Sequence, residues 1–206
     1  MRPLVIAHRG ASWDAPENTL AAFELAIAQN ADYIEFDVRR SGDGELVVAH
    51  DPVRGRRPAC VHTLDEVLAV LAGRIGLAIE IKEEGATERT LAALAAQAIT
   101  PEAVLMLSFR VRTVAKIRRK RPDLRTVLNL GRRPDLAVAS GFWGVGLEDG
   151  TASPQVVARA RSLGLATTVF TVNDPARMRE LADLGVTGIF TDRPAVLREA
   201  LVHLGG

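Results

Sequence analysis

A regular alternation of short apolar runs with amphipathic stretches limits this chain to very few folds. Runs at 77–81, 104–109, 126–130, 145–147, 168–172 and 188–191 have the length and β-rich content of buried strands. Between them lie segments of helical spacing at 86–97, 111–121, about 134–139, then one opened by Ser153-Pro154 and closed by Gly164. A further one runs from Asp174-Pro175 to Gly185, and the last covers 194–204. Leu163-Gly164 leads to Phe170-Thr171, and Leu184-Gly185 leads to Phe190-Thr191. Such a repeat, about twenty residues long, is the mark of parallel strands joined by helical crossovers.

The first third obeys the same rule with one interruption. Val5-Ile6-Ala7 is a strand, a helix is expected over 18–30 with Asn18 as a candidate cap, and 33–38 is the second strand. Ser41-Gly42-Asp43-Gly44 then forms a turn, so 45–50 returns antiparallel as a hairpin. A turn centred on Gly42-Asp43 would set Arg40 opposite Glu45 and His50 opposite Glu35. The link before 45–50 is too short for a parallel crossover, so this strand is an excursion. Thr63-x-x-Glu66 is a capping box opening a helix over Leu64, Val67, Leu68 and Leu71. Removing the excursion leaves eight strands, starting near 4, 33, 77, 104, 126, 143, 167 and 188. A small (β/α)8 barrel of the α/β class is expected, with its chemistry at the strands' carboxyl ends.

Composition narrows the class further. With 206 residues, 48% of them hydrophobic, the chain can bury one core, and one domain over 1–206 is expected. A net charge of +1, with acids and bases interspersed, argues against a nucleic-acid partner or a polybasic membrane patch. The single cysteine, Cys60, rules out an internal disulfide framework and reads as a small apolar residue near a loop. No apolar run reaches membrane-spanning length, and the first strand begins within a few residues of Met1. A cytoplasmic protein without stable membrane association, monomer or homodimer, is the expectation.

Within this frame the polar residues cluster. Glu35 and Asp37, two apart on one strand, share a face, where two buried acids are costly without a cation between them. Glu80 and Lys82 share a face of the next barrel strand. Three converging carboxylates offer all-oxygen ligation, which selects Ca²⁺ or Mg²⁺ over zinc. The alternative is ordinary ion pairing with Arg39, Arg40 or Lys82.

Taken in order, His8-Arg9-Gly10, Pro16-Glu17-Asn18-Thr19, Glu35-x-Asp37, Asp43-Gly44, His50-Asp51, Glu80-Ile81-Lys82 and Thr191-Asp192-Arg193-Pro194 resemble the signature of the glycerophosphodiester phosphodiesterase family. The resemblance spans nearly the whole chain. It implies a (β/α)8 barrel, catalytic His8 and His50, one divalent cation at Glu35, Asp37 and Glu80, and hydrolysis of glycerophosphodiesters to glycerol 3-phosphate and an alcohol. Imidazoles titrate near neutrality and so can divide the proton work, His8 as base or nucleophile and His50 as acid. Arg9, a fork, and Lys82, a point charge, are expected on phosphate oxygens of a small-molecule phosphodiester. Asn18 either caps its helix or ties Arg9 or a water. His62 and His203 match no motif, and Trp13 and Trp143 either line the pocket or pack at the rim.

Two departures from the family pattern stand out. The segment between His50 and Glu80 is short where the family carries a longer insertion, and Phe170 begins Phe-Thr-Val-Asn where the family has Trp. Both widen the range of head groups. A cyclising, phospholipase D-like transfer is the first alternative, and a non-catalytic phosphate-binding barrel is the second.

Overall fold

The computed structural model describes residues 2–132 and 134–202. Among these described residues nine strands form one sheet: β1 (Leu4–His8), β2 (Tyr33–Arg40), β3 (Leu46–Val48), β4 (Gly76–Ile81), β5 (Val104–Ser108), β6 (Arg125–Leu130), β7 (Gly144–Glu148), β8 (Ala166–Phe170) and β9 (Gly188–Thr191). All neighbouring pairs are parallel except β2 with β3, and β1 pairs with both β9 and β2, which closes an eight-stranded parallel barrel with β3 outside it. This is the (β/α)8 fold expected from the strand–helix rhythm.

Helices α1 (Leu20–Ala28), α2 (Leu64–Leu71), α3 (Thr87–Ala96), α4 (Val111–Lys120), α5 (Pro154–Ser162), α6 (Pro175–Asp183) and α7 (Pro194–Val202) wrap the barrel. Their starts follow from capping chemistry. Thr63 and Glu66 make both bonds of a capping box, while Ser153 and Asp174 accept backbone N–H bonds ahead of Pro154 and Pro175. The link between β6 and β7 is only a 3₁₀ turn, Leu136–Ala139, rather than a full helix. Residues 203–204, including His203, lie outside the described residues. No helix among those described is long and apolar enough to cross a membrane.

Side chains alternate across the strands, so each feeds two layers. Ile6, Tyr33, Ala78, Leu105, Leu107, Val127 and Phe190 fill the barrel interior. The other face packs against helices, as with Phe23 and Phe36, whose ring centres lie 5.9 Å apart. Trp143 sits before β7, packs against that interior cluster and carries the Arg125 guanidinium 5.5 Å from its ring centre, so it does not line the mouth. Trp13 is at the mouth, 63% exposed, with Arg193 stacked 4.8 Å from its ring centre.

The hairpin pairs Arg40 with Leu46 and Val38 with Val48, one residue out of the expected register. The reason is a three-residue turn: the Ser41 N–H bonds the Glu45 carbonyl at 3.0 Å, and Gly44 takes φ +90°. His50 therefore stands beyond the paired stretch. Its main chain is held instead by Arg39, whose Nε donates to the His50 carbonyl at 2.7 Å while Nη1 meets Glu83 at 3.2 Å.

The turn after β1 depends on Gly10. It takes φ +87°, and a Cβ there would lie 2.7 Å from the Ala22 backbone. Gly10→Ala is expected to cost about 2 kcal/mol or more, seen as a Tm drop of roughly 4–8 °C in thermal unfolding. An unchanged Tm would show that this turn relaxes freely.

Candidate active site

Every residue singled out from the sequence for chemistry lies at the carboxyl end of the barrel. His8 ends β1, Glu35 and Asp37 lie in β2, Glu80 lies late in β4 with Lys82 just after it, and His50 follows β3. One cavity of about 220 Å³ is lined by His8, Arg9, Glu35, His50, Glu80 and Lys82 on a charged side and by Leu107, Phe109, Phe170 and Phe190 on an apolar side. A concave site with an apolar wall and a few convergent polar groups suits a small ligand.

Three carboxylates cluster here: Glu35 and Glu80 line the cavity, and Asp37 lies beside them. Glu35, Asp37 and Glu80 are 3%, 1% and 8% exposed, and each offers an oxygen within 4.8 Å of the others. Two cations lie among them. Lys82 Nζ is 3.1 Å from Asp37 and 2.7 Å from Glu80, and Arg9 Nε is 3.3 Å from Asp37. Arg39 pairs with Glu83 instead, outside the cluster.

Glu35 has no side-chain cation within ion-pair distance among the described residues. It accepts only the Arg9 backbone N–H, at 3.0 Å. Burial, and then the charges of Asp37 and Glu80, push its carboxyl well above the usual carboxylate range. Asp37 goes the other way: burial opposes, but Lys82, the Asn18 amide and Arg9 bring it down. Burial raises Glu80, with Lys82 working against it. A buried all-oxygen set with one acid lacking a counter-charge fits a hard divalent cation.

Asn18 does not cap α1. It takes φ +57°, gives its Nδ2–H to Asp37 at 3.0 Å, and leaves the cap to Thr19, whose hydroxyl accepts the Ala22 N–H. Arg9, also at φ +57°, is braced by Glu17 at 2.8 Å. Cys60 is exposed rather than packed. His62 lies 3.7 Å from Glu66, away from the cavity.

The histidines differ in support. His8 Nδ1 meets Asp192 Oδ1 at 2.7 Å, and Asp192 also accepts from Ser12 at 2.9 Å and from Asn173 at 2.6 Å. An ionised Asp192 places the proton on Nδ1 and leaves Nε2 as the acceptor nitrogen. His50 Nδ1 meets Asp51 at 3.0 Å, but that carboxylate is 92% exposed. Asp192 is the partner that residue-by-residue reading missed. The signal was present, because Asp192 lies two after Phe190 and so shares its inward face.

Burial opposes ionisation of Asp192, but hydrogen bonds from His8, Asn173 and Ser12 hold its carboxyl down to about 2. This folded value is below the unfolded one, so its stabilisation, up to about 2 kcal/mol, is complete above about pH 5. It disappears as pH falls toward 2. In Asp192→Asn that part of the acid loss should be absent from an unfolding series between pH 5 and pH 2.

Phe170 forms the apolar side with Phe109, edge-on at 5.6 Å, and Phe190, edge-on at 6.4 Å. Asn129, buried at 6% exposure, is a second residue that sequence reading passed over. It was visible as the one polar position late in an apolar strand, Thr126-Val127-Leu128-Asn129-Leu130.

Comparison with known proteins bears on the family and the fold. The model of the glycerophosphoryl diester phosphodiesterase family matches residues 8–70 and 52–196. A probable glycerophosphodiester phosphodiesterase of Mycobacterium tuberculosis is 31% identical, over 93% of this chain and 90% of the relative. A glycerophosphodiester phosphodiesterase of Bacillus subtilis is 28% identical, over 94% and 84%. Their alignments run to 248 and 247 positions, longer than this chain, so both relatives carry residues absent here. Among solved structures, an Oleispira antarctica phosphodiesterase in complex with the product sn-glycerol-3-phosphate superposes with a TM-score of 0.84 at 26% identity, covering 98% of this chain and 97% of the other. The ordered motifs, the closed barrel and the family match over most of its length make this chain a member of the glycerophosphoryl diester phosphodiesterase family.

Proposed function

We propose that the protein hydrolyses glycerophosphodiesters, such as glycerophosphocholine or glycerophosphoethanolamine, to glycerol 3-phosphate and an alcohol, with one Ca²⁺ or Mg²⁺ at Glu35, Asp37 and Glu80. The supporting observation is the meeting of two imidazoles, two cationic side chains and a buried acid cluster at one cavity. The Oleispira relative, solved with sn-glycerol-3-phosphate as its product, favours the same substrate class. A cation held by these three acids would supply positive charge to the phosphoryl oxygens.

The chain's own groups supply the rest. His8, oriented by Asp192, takes the proton from the attacking oxygen through Nε2, and His50 gives one to the departing alcohol oxygen. Arg9, held by Glu17 and Asp37, and Lys82 hold the phosphoryl group by charge. Phe170 and Phe109 offer an apolar wall to the alcohol and exclude water from that side. The working unit is a monomer or homodimer acting on a small molecule.

Phosphomonoester release from a panel of diesters, with added Ca²⁺ or Mg²⁺, tests this. Release of glycerol 3-phosphate is expected; a cyclic phosphate seen by phosphorus NMR would mean transfer to a substrate hydroxyl instead. Binding of glycerol 3-phosphate without turnover of any diester would leave only a phosphate-binding barrel. Asp192→Asn should lower kcat about 10²-fold or more while KM changes little, since the carboxylate acts through His8.

A further inference from the structure

The far wall of the barrel interior contains a buried amide that the proposed chemistry does not use. Asn129 lies on the same face of β6 as Val127, and it is 6% exposed. Its Nδ2 donates to Glu80 Oε2 at 3.4 Å, while Lys82 Nζ meets the other oxygen, Oε1, at 2.7 Å. The Glu80 carboxylate is thus held from both sides, by a residue of its own strand end and by one from two strands away.

The other end of the amide is unsatisfied. Among the described residues Asn129 Oδ1 is buried without a hydrogen-bond partner. It lies against β7 at Gly146, the residue in register with Asn129, and a Cβ on that glycine would stand 2.2 Å from Oδ1. The amide fits only because residue 146 has no side chain. A leucine at 129 would match the apolar neighbours and leave no orphaned carbonyl, so this position costs the fold stability. What the amide gives in return is one N–H aimed at one oxygen of the acid cluster.

We infer that Asn129 is a positioning residue for Glu80, fixing its carboxylate to receive the cation, and that Gly146 is the space this requires. The inference rests on the cation site proposed above. Partners of metal ligands orient them, and their loss weakens metal affinity about 10–100-fold.

Calorimetric titration of Ca²⁺ or Mg²⁺ into metal-stripped protein tests it, with thermal unfolding of the same stripped samples alongside. Asn129→Leu should raise the cation Kd about tenfold or more while the stripped protein's Tm stays level or rises. A purely structural amide would lower Tm and leave Kd alone. Gly146→Ala should raise Kd similarly in the wild-type background and produce no further rise in an Asn129→Ala background. Its Cβ would also lie 3.3 Å from the Phe170 ring, so an equal loss in both backgrounds would assign the effect to Phe170 and overturn the inference. An Asn129→Leu Kd within about twofold of wild type would overturn it as well. Absence of cation binding by the wild type would remove the proposed cation site itself, an outcome distinct from wild-type binding that the variants leave unchanged.

Discussion

His8→Ala is expected to lower kcat about 10³-fold with little change in cation affinity and a Tm loss of no more than about 4 °C. The side chain is not one of the three acids, so the cation site keeps its ligands. Asp192 would lose its His8 partner yet keep the bonds from Ser12 and Asn173, so no buried charge is left bare. Steady-state kinetics with a glycerophosphodiester, calorimetric cation titration and thermal unfolding on one preparation check all three. Wild-type turnover in His8→Ala would remove His8 from the chemistry. His50→Ala is expected to fall by a similar factor and to be milder with an alcohol that leaves readily, because its role is to protonate that leaving oxygen.

Glu35→Gln should move two quantities in opposite directions. Asp37 and Glu80 have Lys82 against them, but Glu35 has only a backbone N–H. Its folded pKa lies above the unfolded one. Between those two values the folded chain binds a proton that the unfolded chain does not. Stability without the cation therefore falls as pH rises from the ordinary carboxylate range through the raised value. Gln removes that loss, so the metal-stripped variant should unfold at a higher temperature than stripped wild type at neutral pH. With a ligand gone, its cation Kd should rise at least about tenfold and kcat/KM should drop about 10²-fold or more. Excess cation at about 100 times Kd should stabilise the wild type by roughly 2.7 kcal/mol and the variant far less. A variant that kept wild-type affinity would contradict the assignment of Glu35.

The sequence disclosed the architecture because period-2 and period-3.6 patterns repeat, and because the Glu35-x-Asp37 and Glu80-x-Lys82 spacings place charge on single strand faces. Its misses have local causes. The hairpin register slipped by one because Gly44 extends the turn to three residues, a matter of backbone dihedral rather than residue type. Asn18 looked like a cap because caps and buried amides use the same residue types; its left-handed backbone turns it toward Asp37. The His8–Asp192 bond joins positions 184 residues apart, and only closure of β1 onto β9 brings them together. Asn129 likewise acquires a partner only when β6 and β4 line one interior.

Phosphorus NMR of metal-stripped protein with glycerophosphocholine, recorded before and after addition of Ca²⁺ or Mg²⁺, is the most direct test. No change before addition, followed by conversion of the diester signal to glycerol 3-phosphate after it, is the predicted course. Equal conversion in the presence of excess chelator, or none under any cation, would contradict it.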